Sequence, residues 1–212
     1  MAGDKDDRRL QILEGALQVF STRGYTDTSI KDIAVSAGIS SPALIYHYFK
    51  NKEDLLRAVI EQYAPPLQLM AHPQAMSSLP TRDALLKFAN VYLTIMDNSQ
   101  ISACIRVMVG EAIRSQEFAA VLGEAAPQRI WAVLAAYLKS QMDAGQLRQT
   151  DPQLAARCFL SPLFNHVFIR SIVRLPDPLE IDPGDYAEFC VDMFLNGCGA
   201  ERGLCSEDAS HA

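Results

Sequence analysis

The chain has 212 residues, 49% apolar and 21% charged, with 19 Lys and Arg against 25 Asp and Glu for a formal net charge of −6. This composition excludes disordered, fibrous and collagen-like chains, and the length allows one large domain or a small one beside a medium one, with a sizeable core. The acidic balance argues against a nucleic-acid partner unless the charge is unevenly placed along the chain.

Nearly every periodic segment reads as helix, because apolar residues recur at three and four and no β-branched run alternates with polar residues. The expected fold is therefore all-α, with nine or ten helices. The start, Met1 to Arg9, is dense in charge, and the apolar segment behind it is interrupted by Glu14 and Gln18, so no secretory signal is expected. Leu10, Leu13, Leu17 and Phe20, with Ile12, Ala16 and Val19, predict a first amphipathic helix that stops near Gly24. A second, short helix begins at Thr28 or Ser29, with Asp32 in the reciprocal capping position, and ends at Gly38. A third starts at once with Ser40 as cap and Pro42 in its first turn, and Asn51 caps a fourth that runs to about Tyr63, where Pro65-Pro66 breaks it.

The polar, proline-punctuated stretch 67–80 reads as a connector. Beyond it, helices are expected at about 82–97, 101–121, 127–144, 152–174 and 184–198, followed by a small polar tail expected to be disordered. No uncharged stretch is both long and apolar enough to span a bilayer; the one from Cys158 to Ile169 is too short and contains Asn165 and His166. The five cysteines (Cys104, Cys158, Cys190, Cys198, Cys205) are odd in number and never form C-x-x-C, so neither a disulfide framework nor a zinc site is indicated and a reducing cytoplasm is the expected compartment.

Residues 28–49 carry the most specific signal. Two short helices about Ala37-Gly38-Ile39 form a helix-turn-helix, whose second helix lies in the major groove of DNA. Stepping residues at about 100° along an α-helix puts Ser41, Leu44, Ile45, Tyr48 and Phe49 on one side and Ala43, Tyr46 and His47 on the other, so one face anchors and the other presents. Ser40 and Ser41 offer hydroxyls and backbone N–H groups to phosphate or a base edge, Ala43 suits a thymine methyl, His47 a base or phosphate, and Tyr46 the backbone. Thr28 and Lys52 are placed as flanking phosphate clamps. From Ser21 to Lys52, four basic residues (Arg23, Lys31, Lys50, Lys52) stand against two acidic ones (Asp27, Asp32), which leaves this segment at +2 within a chain of −6.

These residues resemble the DNA-binding domain of TetR-type transcriptional regulators. The matching elements are Phe20 and Gly24-Tyr25, the Thr28-Ser29-Ile30 helix start, Ile33-Ala34, Ala37-Gly38-Ile39-Ser40, the aromatic cluster Tyr46-His47-Tyr48-Phe49, and Lys52-Glu53. In one respect the chain departs from the pattern: Ser40-Ser41-Pro42 makes the stretch between Gly38 and the aromatic cluster a residue longer than usual. The resemblance implies an N-terminal helix-turn-helix DNA-binding domain, taken as 6–66, and a larger helical effector-binding and dimerisation domain, taken as 67–200, before the tail at 201–212. It further implies a homodimer on a palindromic operator, joined through the last two helices, with a small-molecule ligand lowering DNA affinity.

Under that resemblance the helix at 152–174, apolar on more than one face, and the one at 184–198 become the expected dimer interface; taken alone, they could equally be internal core. Polar groups inside apolar helices nominate Tyr92, Met96, Cys104, Arg106, Met108, Glu111, Trp131 and His166 as ligand-pocket residues, although Glu111 could instead pair with Arg114. Cys104 and Cys158 read as buried and inert, and Cys190 with Cys198 as a weaker redox candidate. No H-E-x-x-H, G-x-S-x-G or phosphate-cradling glycine loop is present, so no catalytic residue, metal or cofactor is expected. The expected function is a DNA-binding regulator, a repressor released by an apolar or amphipathic ligand. The alternatives are an activator of the same family, or a helical ligand-binding protein or enzyme without DNA binding.

Overall fold

The computed structural model describes residues 2–70, 72, 76, 78–125, 127–176 and 180–198. The expected disorder of 201–212 falls outside them. Helix α1 (Ala2–Arg23) carries Ile12, Leu13, Ala16 and Phe20 fully buried on one face and ends at Gly24, whose φ of +86° takes the left-handed turn that an L side chain resists. Helix α2 (Ile30–Ser36) opens on a complete capping box: Ser29 accepts from Asp32 N–H while the Asp32 carboxylate accepts from Ser29 N–H at 2.9 Å. The cap is therefore Ser29 rather than Thr28.

After Gly38 (φ +64°) the next element is a 3-10 helix, Pro42–His47. The expected α-helix capped by Ser40 is not what forms. Ser41 holds the cap position without a side-chain bond, Pro42 follows at the first helical position, and the turns close three residues apart, as from Leu44 N–H to Ser41 O at 3.0 Å. Six residues is long for a 3-10 helix, whose runs seldom exceed three or four. Helix α3 (Lys52–Tyr63) is capped by Asn51, which accepts from Asp54 N–H at 2.7 Å, and stops at Ala64, held extended before Pro65.

The proline-rich connector contains a helix of its own, α4 (Pro65–Met70). Then come α5 (Thr81–Leu93), α6 (Ser99–Arg114), α7 (Gln116–Ala125), α8 (Pro127–Asp143), α9 (Pro152–Val167) and α10 (Pro183–Cys198). The single helix expected at 101–121 is two, because Ser115 adopts extended backbone (φ −130°, ψ 110°) and its hydroxyl caps α7 by accepting from Phe118 N–H at 3.2 Å. The helix expected at 152–174 loosens after Val167 into a π-helical stretch, Phe168–Val173, closed by a left-handed Arg174. Among the described residues there is no β-strand, and no helix is long and apolar enough to cross a membrane.

Two cores result. In one, Phe88, Leu134, Leu138, Phe159 and Leu163 pack α5, α8, α9 and α10 together, with edge-to-face contact between Phe159 and Phe194 at 5.1 Å. In the other, Phe20, Ile33, Ile45, Leu55 and Leu56 of the N-terminal elements bury against Cys104 and Met108 of α6 and Phe118 of α7. The helix-turn-helix thus packs into the body of the protein through α6 and α7.

Candidate nucleic-acid interface and ligand cavity

The 3-10 helix is held by apolar anchors. Ile45 and Phe49 are buried, Leu44 and Tyr48 are half-buried, and the Arg9 guanidinium lies 5.4 Å from the centroid of the Phe49 ring. Ser40, Ser41, Ala43, Tyr46 and His47 are exposed, Tyr46 at 57%. Residues three apart eclipse in a 3-10 helix, so Ala43 and Tyr46 share one edge of the presented surface. Lys31 and Lys50 flank it, exposed and without an ion pair, whereas Arg23 is spent on Asp32 at 3.1 Å.

Two residues expected at this surface are used elsewhere. Thr28 is 2% exposed and donates its hydroxyl to Gly24 O at 2.5 Å, so its side chain does not reach phosphate. The Lys52 ammonium turns inward, donating to Tyr25 O at 2.7 Å and Thr28 O at 2.8 Å with the Tyr25 ring 4.3 Å away. Burial pulls the Lys52 pKa below its ordinary value, while the Glu111 and Asp27 carboxylates oppose that shift. Lys52 is a latch on the loop 24–28, not a phosphate clamp.

The same loop is gripped from the other side. Glu111, 7% exposed, accepts from Tyr25 N–H through Oε2 and from Thr26 N–H through Oε1, both at 2.9 Å. Glu111 is expected as a pocket residue or as a partner of Arg114, but among the described residues it neither lines the cavity nor pairs with Arg114; a buried carboxylate needs donors, and the loop supplies two. Gly24 is required for the approach, because a Cβ there would lie 2.6 Å from Glu111 Oε1. Tyr25 in turn stacks on Phe118 of α7 with centroids 5.0 Å apart.

One turn and two turns back along α6 from Glu111, Met108 and Cys104 face a cavity of about 610 Å³, the size of a small-molecule site. Of the expected pocket residues, Tyr92, Cys104, Met108 and Trp131 line it. The other four do not: Glu111 grips the loop, Arg106 donates to Ser171 O at 2.6 Å, His166 stacks on Tyr186 at 4.2 Å, and Met96 packs on the C-terminal core. Burial pushes the Tyr92 phenol and the Cys104 thiol up to about 12, so both stay protonated. Cys190 is also buried with a raised pKa, and Cys158, expected to be buried, is exposed on α9. The side chain of Cys198 lies outside the described residues. Among the described residues no cluster is arranged to hold a metal ion.

That the N-terminal elements themselves wall the cavity is not legible from the apolar pattern. Leu17 of α1 and Val59, Ile60 and Tyr63 of α3 contribute, and the Tyr63 hydroxyl is buried there without a protein partner. A helical apolar stripe looks the same whether it meets core or a cavity. Arg157 and Ser161 of α9, also on the wall, were equally silent.

Two family models match the chain: bacterial regulatory proteins of the tetR family, over residues 12–59, and the C-terminal domain of AefR-like transcriptional repressors, over residues 83–199. The transcriptional repressor KstR2 of Mycolicibacterium smegmatis is 43% identical over 56 residues, 26% of this chain and 27% of that protein. The chain is thus matched to about a quarter to a third of the length of such curated relatives. The regulator FadR of Bacillus subtilis, solved in complex with stearoyl-CoA, superposes with a TM-score of 0.69 at 17% identity, covering 89% of this chain and 98% of that one. A TetR-family regulator from Pseudomonas syringae pv. tomato gives 0.63 at 25% identity, covering 92% and 98%.

Two substitutions check the latch. Lys52→Met should lower the urea midpoint yet leave the salt dependence of DNA binding unchanged, whereas loss of a phosphate clamp would reduce the slope of log K against log[salt] by about one. Glu111→Ala removes a buried carboxylate and two charge-assisted bonds to the part-buried N–H groups of Tyr25 and Thr26, and should cost about 2 kcal/mol, a melting temperature lower by roughly 4–8 °C in calorimetry.

Proposed function

The chain belongs to the TetR family of DNA-binding transcriptional regulators, and on that premise we propose that it is a repressor released from a palindromic operator by a small apolar or amphipathic ligand. The observation that carries this reading is the shared wall: Leu17, Val59, Ile60 and Tyr63 line the cavity and belong to the two helices, α1 and α3, that hold the reading helix. A ligand in the cavity therefore presses on the unit that meets DNA. If it binds better to a spread arrangement than to the DNA-competent one, it weakens DNA binding by the factor by which DNA weakens its own binding. Transmission has two routes, the covalent one along α3 and the contact of α6 with the loop 24–28 through Glu111.

In this reading residues 6–66 form the DNA-binding domain and 67–200 the effector and dimerisation domain, acting in the cytoplasm. Ser40, Ser41, Ala43, Tyr46 and His47 meet the duplex, with Lys31 and Lys50 on the flanking phosphates. A homodimer sets its two reading helices about 34–36 Å apart in successive major grooves. Helices α9 and α10 join the subunits. Support comes from the outer faces that leave Leu154 of α9 59% exposed and Phe189 and Met193 of α10 64% and 59% exposed, large apolar side chains unusual on the surface of a lone subunit.

Replacing Tyr46 and His47 together with Ala should abolish operator binding in a gel shift while the dimer survives in light scattering; unchanged affinity would discard this reading helix. Replacing Phe189 and Met193 together with Asp should yield monomers in light scattering and a loss of operator affinity of at least about tenfold, because two half-sites no longer bind as one unit.

A further inference from the structure

The cavity has a chemical polarity that narrows its ligand. Its floor is apolar and closed: Leu17, Val59, Cys104 and Met108 are each 5% exposed or less. Its mouth lies along α9, where Arg157, Ser161 and Phe164 stand one turn apart and are all exposed to solvent as well as to the cavity. Among the described residues Arg157 is the only charged side chain on the wall. Among the described residues it pairs with no carboxylate; its guanidinium lies over the Trp131 ring, 5.1 Å from the centroid, a contact that uses none of its N–H donors in a salt bridge.

We propose that the effector is an anionic amphiphile whose carboxylate or phosphate head is held by Arg157, with Ser161 beside it, and whose unbranched apolar tail runs inward to Leu17, Val59 and Met108. This rests on the reading of the cavity as the effector site and adds the ligand's class and direction. A guanidinium fork matches two oxygens of a carboxylate or a phosphate, and a cation desolvated by an aromatic face favours an anion over a neutral group of the same shape. The opposite orientation takes the charge away from the guanidinium and sets it against an apolar floor, where uncharged phenols such as that of Tyr63 offset little of the desolvation cost. A cationic amphiphile meets Arg157 as a like charge.

The test uses the full-length protein and four ten-carbon probes below their micellar concentrations: decanoate, decyl phosphate, methyl decanoate and decyltrimethylammonium. Binding is followed by calorimetry and by the emission of Trp131, the one tryptophan of the chain. One or both anions should bind about tenfold or more tighter than the neutral ester, the cation should bind weakest, and Trp131 emission should change. Whichever anion leads identifies the head group. In Arg157→Gln the anions should fall to the affinity of the ester, whose own binding stays unchanged. Equal binding of ester and anions in the unsubstituted protein, persistence of the preference in Arg157→Gln, or no heat from any probe would overturn the ligand class. A separate gel shift decides the underlying reading: an anion that binds through Arg157 without loosening DNA removes the effector role while the ligand class stands, and release of DNA by ester and anion alike does the reverse.

Discussion

A carboxylate buried in a protein must find hydrogen-bond donors, and the one on Glu111 finds them in the backbone of a different part of the molecule. Its two oxygens take the N–H groups of Tyr25 and Thr26, while Lys52 takes the carbonyls of Tyr25 and Thr28. The loop 24–28 is thereby fixed between a negative group on α6 and a positive group at the start of α3. The order of α2 and of the reading helix follows, because both hang from that loop. So does the position of the cavity, since the residues one and two turns back on α6 form its floor. The arrangement demands Gly24, the residue whose missing side chain lets the carboxylate approach.

Much of the fold was legible because it rests on local rules. The capping box at Ser29 and Asp32, the cap at Asn51, the stop before Pro65-Pro66 and the presented face of Ala43, Tyr46 and His47 all follow from short-range chemistry. Residues whose roles depend on distant partners were misplaced. Lys52 and Glu111 lie 59 positions apart and meet the same five-residue loop, so each looked like a surface group or a pocket group when read alone. Ser115 broke a helix that its apolar period would have continued. Arg157 gave no warning either, since an arginine on an amphipathic helix normally marks a solvated face.

The charge balance takes on a different meaning in three dimensions. The segment 21–52 sums to +2, yet two of its four cations are occupied, Arg23 by Asp32 and Lys52 by backbone carbonyls. Only Lys31 and Lys50 remain free to neutralise phosphate. A surface with so little uncommitted positive charge gains little from the DNA backbone alone, so base-edge contacts must carry more of the affinity. Ser40-Ser41, where the stretch is a residue longer than the pattern it resembles, lies in this surface at the start of the 3-10 helix.

Because Leu17 and Val59 are at once core of the reading unit and floor of the cavity, the two surfaces cannot diverge independently over evolutionary time. A change there that admitted a new ligand would alter the stability and pose of the DNA-binding helices in the same step. Innovation in ligand preference is channelled instead to the walls built by α8 and α9, at Trp131, Arg157 and Phe164, which touch the cavity but lie outside the helix-turn-helix core. Descendants of this chain are expected to vary first at that rim, with the floor inherited unchanged.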